Sequence, residues 1–291
     1  MKKTNKIFFR NKNKKILCFT SIGIIFCAFL ATITYFSKNL YFENENQASE
    51  TTNVSTLSEL GTKEYSWYFN PREDGKQPLP IQEASFFNKY NAYFAGDAND
   101  KKIYLTFDAG YESGNTEKIL DTLKKHNVKA NFFVVKDYID KNPDIVKRMA
   151  DEGHLVGNHS VTHPSMASIS DVDKFNAEIL DVADAYKKVT GKEMPKFFRP
   201  PMGKFSERSL KYTQDLGYKT IFWSFAYVDW YNDKQPSHEF AKEKIYSRTH
   251  PGEIALLHPN STTNTEILDE VLTHWEDEGY KLDTLDNLPT K

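Results

Sequence analysis

The sequence predicts an α/β fold, a parallel sheet or barrel with helices on its outside. Three observations predict it. From Lys102 onward, short apolar strand-type runs alternate with helix-type runs six or seven times, the pattern of successive βα units. Four helix-type runs stop at a glycine, Gly153, Gly191, Gly217 and Gly279, the residue that most readily takes the left-handed turn after a helix. Of the 291 residues, 39% are hydrophobic and 14% aromatic, enough to close a core.

The elements follow in order. Ile103–Phe107 reads as a strand. Thr116–His126 reads as a helix with Ile119, Leu120 and Leu123 on one face and Asn115 as N-cap. Ala130–Val135 is a strand, and Pro143–Glu152 a helix with proline in its first turn. His154–Gly157 is a strand and Asp171–Thr190 a long helix. Phe197–Phe198, Ser206–Leu216 and Lys219–Ser224 continue the alternation. Pro236–Thr249, Glu253–Leu257, Thr265–Glu278 and Tyr280–Leu282 close it. Upstream, Tyr65-Ser66-Trp67-Tyr68-Phe69 and a proline-rich stretch have no period, and suit a covering strand or a substrate-facing flap.

Charge is nearly balanced, 38 Lys+Arg against 40 Asp+Glu. That gives no basic stripe and argues against nucleic acid as partner. The distribution is uneven, however. Residues 1–15 hold seven basic residues and no acid; Lys38 apart, the other 30 basic residues and all 40 acids follow from Glu43. Ile16 to Phe36 are uncharged over 21 residues, long enough to cross a bilayer. The expected organisation is a cytoplasmic basic segment (1–15), a transmembrane signal-anchor (16–36), a flexible tether (37–63), an N-terminal extension packing on the barrel (64–101) and a catalytic domain (102–291). Positive charge stays inside, so that domain is expected outside the cell membrane as part of a single-pass protein. A cleaved signal peptide is the alternative. Both cysteines, Cys18 and Cys27, lie in the apolar run, so no disulfide framework holds the exported part.

In α/β folds chemistry gathers at the carboxyl ends of the strands. Asp108 follows the first strand and suits a general base; a turn residue looks the same. His159 and His163 follow the third. At i and i+4 in a helical turn they share a face and suit one metal ion; a pair of loop histidines is the plain reading. Arg199-Pro200-Pro201-Met202 follows the fourth strand. The two prolines leave the Met202 N–H as the next free donor, fit for an oxyanion, and Arg199 suits a bidentate clamp on a carboxylate. Asp229-Trp230 and His258 follow the fifth and sixth strands. His258 suits a general acid or a core histidine. Together they are the parts for metal-assisted hydrolysis of an amide or ester.

Thr106-Phe107-Asp108-x-Gly110, His159-Ser160-x-x-His163, Arg199-Pro200-Pro201 and Leu257-His258 resemble the ordered motifs of the NodB-homology polysaccharide deacetylases, carbohydrate esterase family 4. The resemblance runs from about Lys102 to Leu288. Tyr65-Ser66-Trp67-Tyr68, the segment Thr106–Glu112, Phe222-Trp223-Ser224 and Tyr227-Val228-Asp229-Trp230 are similar to the subfamily of delta-lactam-biosynthetic de-N-acetylases of spore peptidoglycan. The resemblance implies a distorted (β/α) barrel of about seven parallel strands. It implies removal of acetyl from N-acetylmuramic acid residues that lack peptide, after an amidase, with muramic-δ-lactam of the spore cortex as the eventual product. A sporulating Gram-positive cell and a peptidoglycan strand as partner go with it. By residue, it implies Asp108 as base and metal ligand, His159 and His163 as metal ligands, and Arg199 orienting Asp108. Met202 would support the oxyanion, and Pro201 would line the substrate pocket. His258 would be the acid, supported by Asp229 and Trp230. Leu257 would line the acetyl pocket. Read as residues, Tyr111, Glu112 and Trp230 suit the lining of a sugar groove, with simple packing as the alternative.

Two departures stand out. Where the wider family has a second, metal-binding aspartate, this chain has Ala109. The divalent ion (zinc first, with magnesium, manganese or cobalt as alternatives) is therefore expected to be held weakly. An acid often found three residues before Asp229 is here Ala226, which leaves Asp229 to tune His258. The alternatives are a deacetylase of N-acetylglucosamine in peptidoglycan or chitin-like chains, and a non-catalytic glycan-binding protein.

Overall fold

The structure is a computed structural model and describes residues 60–289. The basic segment, the expected membrane span and nearly all of the tether lie outside these residues. Among the described residues no helix is long and apolar enough to cross a membrane.

Twelve strands occur along the described chain. Four short ones come first: β1 (Tyr65–Ser66), β2 (Phe69–Asn70), β3 (Leu79–Pro80) and β4 (Ala92–Tyr93). β5 (Lys102–Ala109), β6 (Asn131–Val134), β7 (Leu155–Asn158) and β8 (Phe197–Phe198) follow. β9 (Lys204–Phe205), β10 (Lys219–Ile221), β11 (Glu253–Leu257) and β12 (Lys281–Leu282) complete the set. Seven α-helices lie between them: α1 (Thr116–Lys125), α2 (Lys136–Lys141), α3 (Pro143–Asp151), α4 (Val172–Thr190), α5 (Glu207–Asp215), α6 (His238–Arg248) and α7 (Thr262–Asp277).

The main sheet runs β11–β5–β6–β7–β8–β10–β4, with β12 beside the start of β5. Every pairing in it is parallel. Its longer strands are buried on both faces, as a parallel sheet under helices requires. The two ends of the sheet then meet. Ala95, just past β4, bridges Glu253 of β11, and Phe225 bridges Ala255. Isolated bridges in place of a full ladder make this seam the distorted part of a (β/α) barrel.

Alternation along β5 sorts its side chains. Ile103, Leu105, Phe107 and Ala109 join the core between sheet and helices; Tyr104 joins the smaller interior cluster. Asp108 therefore faces inward. The helices present the faces their spacing dictates: α4 buries Phe175, Ile179, Val182 and Tyr186, and Asp171 caps it through the Asp173 and Lys174 amides. Each fully buried aliphatic or Phe side chain contributes roughly 1.5–3 kcal/mol.

Several elements differ from the sequence reading. Ala92–Tyr93 is a strand of the main sheet, so the extension does not end at residue 101 as a separate layer. Two residues are too short to show a period. Tyr65–Ser66 is a covering strand, paired with β9, and Trp67 packs among Phe87, Phe94 and Phe222. Asn115 stands at the N-cap position of α1, as expected, but its side chain makes no cap bond. Glu112 Oε1 instead accepts from the amides of Gly114, Asn115 and Thr116, a charge suited to a helix N-terminus. α2 was not anticipated. α7 begins at Thr262 rather than Thr265, because its polar first turn reads like loop.

Candidate active site

Strand ends β5, β7, β8 and β11 surround one cavity of about 420 Å³. Asp108, His159, His163 and His258 line it, with Met202, Trp223, Trp230 and Leu256 forming the remaining wall. Asp108 is the last inward residue of β5 and is only 7% exposed. Its Oδ1 accepts from Arg199 Nη1 at 2.8 Å, and its Oδ2 lies 3.6 Å from His159 Nε2.

Arg199, fully buried, does not clamp the carboxylate with two arms. One nitrogen, Nη1, serves both Asp108 and the Thr106 hydroxyl at 2.8 Å. Nε and Nη2 donate to the carbonyls of Ile221 and Phe222. The guanidinium also lies over the Phe133 ring, 4.3 Å from its centroid. Two carbonyls claim the other arms, so the fork cannot turn both toward Asp108. Burial by itself would raise the Asp108 pKa. The charges of Arg199, His159 and His258 outweigh it and hold Asp108 below the usual carboxylate value.

His159 and His163 sit in a loop, not in a helical turn as the spacing suggested. Ser160 and His163 have positive φ, 72° and 57°. Glu178 explains the loop by accepting from the amides of Val161 and Thr162 and from the Thr162 hydroxyl. The rings still meet, with centroids 4.9 Å apart. His159 Nδ1 lies 2.8 Å from the Arg199 carbonyl, which assigns the proton to Nδ1 and leaves the Nε2 lone pair toward the cavity. Burial pushes His159 down to about 4, against the pull of Asp108. His163 is lowered as well, again by burial first. Two neutral imidazoles beside a carboxylate oxygen match the donor chemistry of a divalent ion. Among the described residues no group of three or more His, Cys, Asp or Glu forms a ready cage. Ala109 faces the helix layer with Leu105 and Phe107 and offers no ligand.

His258 follows β11. Its Nδ1 is 2.7 Å from Asp229 Oδ1, and its backbone N–H donates to Asp229 Oδ2 at 2.8 Å. Burial would lower this histidine. The Asp229 hydrogen bond and charge, with Asp108 behind them, overcome it and raise its pKa above the ordinary value. Trp230 meets the His258 ring edge-on at 5.6 Å. Met202 has φ 57°, and Gly203 after it has φ 64°. Pro200 and Pro201 set up this turn. A Cβ on Gly203 would come within 2.8 Å of Trp223 and 3.0 Å of Trp67. Met202 itself is half exposed and lines the cavity.

Not every expected residue reaches the cavity. Leu257 points into the helix-side core, and alternation puts Leu256 on the cavity wall instead. Pro201 is buried and does not line the cavity. Tyr111 and Glu112 line a second, smaller cavity with Tyr138 and Lys141. Glu112 is occupied there with the α1 amides and the Tyr138 hydroxyl at 2.7 Å. Residues missed from sequence include Thr106, which ties Arg199 to the Ala255 carbonyl, and Asn264, which donates to Asp229 at 2.6 Å. A threonine within a strand and an asparagine at a helix start carry no signal that separates them from ordinary fold residues.

Comparison with known proteins places this geometry. Residues 95–221 match the family described as Polysaccharide deacetylase. The chain is 44% identical over 218 residues to the peptidoglycan-N-acetylmuramic acid deacetylase PdaA of Bacillus subtilis, covering 75% of this chain and 81% of that protein. It is 34% identical over 208 residues to a peptidoglycan-N-acetylglucosamine deacetylase of Bacillus cereus, covering 70% of this chain and 74% of that one. The solved structure of Bacillus subtilis PdaA, a family 4 carbohydrate esterase, superposes with a TM-score of 0.75 at 41% identity, over 78% of this chain and 97% of that one.

Proposed function

The chain belongs to the polysaccharide deacetylase family, carbohydrate esterase family 4, and from that membership we propose that it hydrolyses the N-acetyl group of N-acetylmuramic acid residues in peptidoglycan. The single observation that carries the chemistry is the convergence of Asp108, His159, His163 and His258 on one cavity. The 44% identity to a muramic acid deacetylase supports the substrate.

The reaction adds water across the amide and yields acetate and a free amine. Asp108, kept ionised by Arg199, takes a proton from the attacking water. The N–H of Met202, on the cavity wall, donates to the oxyanion as it forms. His258, kept protonated by Asp229, gives its proton to the departing nitrogen. Leu256 and Trp223 offer an apolar wall for the acetyl methyl. The imidazoles of His159 and His163, with Asp108 Oδ2, are the residues that would hold a divalent ion. Such an ion supplies Lewis-acid polarisation at this point. Ala109 would contribute no ligand, so such an ion would be held weakly.

The basic residues 1–15 and the uncharged run 16–36 support a single-pass membrane protein with the deacetylase outside the cell membrane. Substrate strands freed of peptide by an amidase, and later closure of the amine to muramic-δ-lactam in sporulating cells, complete the proposal. The N-acetylglucosamine reading draws on the 34% identity to the glucosamine-directed relative. Mass analysis of glycan fragments before and after treatment, with and without chelator, separates the two. Deacetylated muramic acid or its lactam supports the proposal; glucosamine as sole product overturns it.

A further inference from the structure

Behind His258 and Asp229 the hydrogen bonds continue to two more residues, Asn264 and Tyr227, and neither has a part in the chemistry above. Asp229 is 1% exposed. Its Oδ1 accepts a hydrogen bond from His258 Nδ1, and its Oδ2 accepts from the His258 backbone N–H and from Asn264 Nδ2 at 2.6 Å. Asn264, itself buried, lies in the first turn of α7, where Ser261 Oγ caps its backbone N–H at 3.1 Å. Its side-chain oxygen accepts from the Tyr227 hydroxyl.

That last contact decides which way the amide points. Burial, with Asp229 nearby, raises the Tyr227 pKa, so the phenol keeps its proton and acts as donor. Asn264 therefore gives its oxygen to Tyr227 and its NH₂ to Asp229. Turned over, the amide would set a carbonyl against a carboxylate and leave the phenol without an acceptor. With Asn264 in place, three N–H donors hold the two oxygens of Asp229.

We propose that Asn264, oriented by Tyr227, is a positioning residue that locks Asp229 so that the His258 imidazole stays turned into the cavity as proton donor. This rests on the deacetylase reading, because protonating a departing amine is the task that reading gives His258. The charged or titratable groups facing His258 are Asp229 from the loop after β10, Asp108 from β5, Arg199 just after β8 and His163 from the loop after β7. Asn264 adds no charge of its own; it acts by direction.

The test compares two substrates. The leaving group from a glycan N-acetyl group is an amine, which needs a proton; the leaving group from p-nitrophenyl acetate is the stable p-nitrophenolate anion, which does not. Asn264→Ala is expected to lower kcat on glycan about tenfold with KM nearly unchanged. It should move the alkaline limb of the pH profile downward and cost far less on the aryl acetate. Tyr227→Phe should act in the same direction but more weakly. The double variant should be no worse than Asn264→Ala alone. Equal losses on both substrates, an unmoved alkaline limb, or additive losses would each overturn the proposal. If Asn264→Ala fails to fold, an NMR titration of His258 in the unaltered protein and in Tyr227→Phe decides: a lower midpoint in the variant supports the proposal and an unchanged one overturns it. If the unaltered protein releases no acetate from glycan, the deacetylase reading falls, while the titration still tests the positioning.

Discussion

Arg199 Nη1 stands 2.8 Å from Asp108 Oδ1, with both side chains buried. Neither charge has water to fall back on, so each depends on the other. Thr106, Ile221 and Phe222 hold the guanidinium from behind, which makes the pair a rigid unit and not a flexible surface bridge.

Removing the cation should therefore cost stability and activity together. Arg199→Ala is expected to lower folding stability by about 3–5 kcal/mol and abolish acetate release. Arg199→Lys keeps a charge but loses the planar fork. In it the acid limb of the kcat/KM profile should move to higher pH, since less of the pull that lowers Asp108 remains. Denaturant melts and a pH–rate profile check both. An acid limb that stays in place would contradict the role given to Arg199.

The alkaline limb reports the other side of the cavity. Because Asp229 raises His258 above its ordinary value, the limb should lie above pH 6.5, the unperturbed histidine value. Asp229→Asn should bring it down and reduce kcat by about 10²-fold or more. Stability follows the same sign. The raised pKa contributes stabilisation that is complete below the unfolded histidine value and is lost as pH rises through the folded one. Melts of Asp229→Asn across that window should show a smaller slope than the unaltered protein.

Glu253 gives a prediction far from the chemistry. It is fully buried at the start of β11, and its Oε1 has no hydrogen-bond partner among the described residues. Burial raises its pKa well above the ordinary value of 4.5, against the backbone bond from His250. The folded state thus holds a proton that the unfolded state gives up, and stability falls as pH rises from 4.5 through the raised value. Glu253→Gln should remove that loss, gaining about 1 kcal/mol or more at neutral pH and nothing below pH 4. Thermal melts at the two pH values measure the difference; an equal effect at both would contradict the ionisation argument.

Gly203 links backbone shape to the oxyanion donor. Its φ of 64° and its contacts with Trp223 and Trp67 leave no room for a side chain. Gly203→Ala should cost about 1–3 kcal/mol and lower kcat by displacing the Met202 N–H. Loss of stability with kcat intact would show that the turn serves packing alone.

Much of this was legible in the sequence because it rests on local patterns. The βα alternation, the glycine stops and the polar residues at strand ends all follow from period and turn chemistry. What was not legible depends on distance in space. Ala92–Tyr93 is too short to show a period, yet it closes the barrel. Leu256 and Leu257 are indistinguishable by composition, and only the inward position of His258 tells which one meets the cavity. The His159–His163 spacing suggested a helical turn, but Glu178, 15 residues beyond His163, holds the segment as a loop. Asn264 looks like part of any polar helix start until Asp229 is seen beside it.

The most direct test is acetate release from peptide-free peptidoglycan strands by the unaltered protein and by Asp108→Asn, each first shown to be folded by its melting curve. The asparagine keeps the shape and cannot take a proton. Steady acetate release by the unaltered protein and none by a folded Asp108→Asn is the predicted result. Comparable release by both would mean that the water is activated elsewhere, and the convergence on this cavity would no longer explain the reaction.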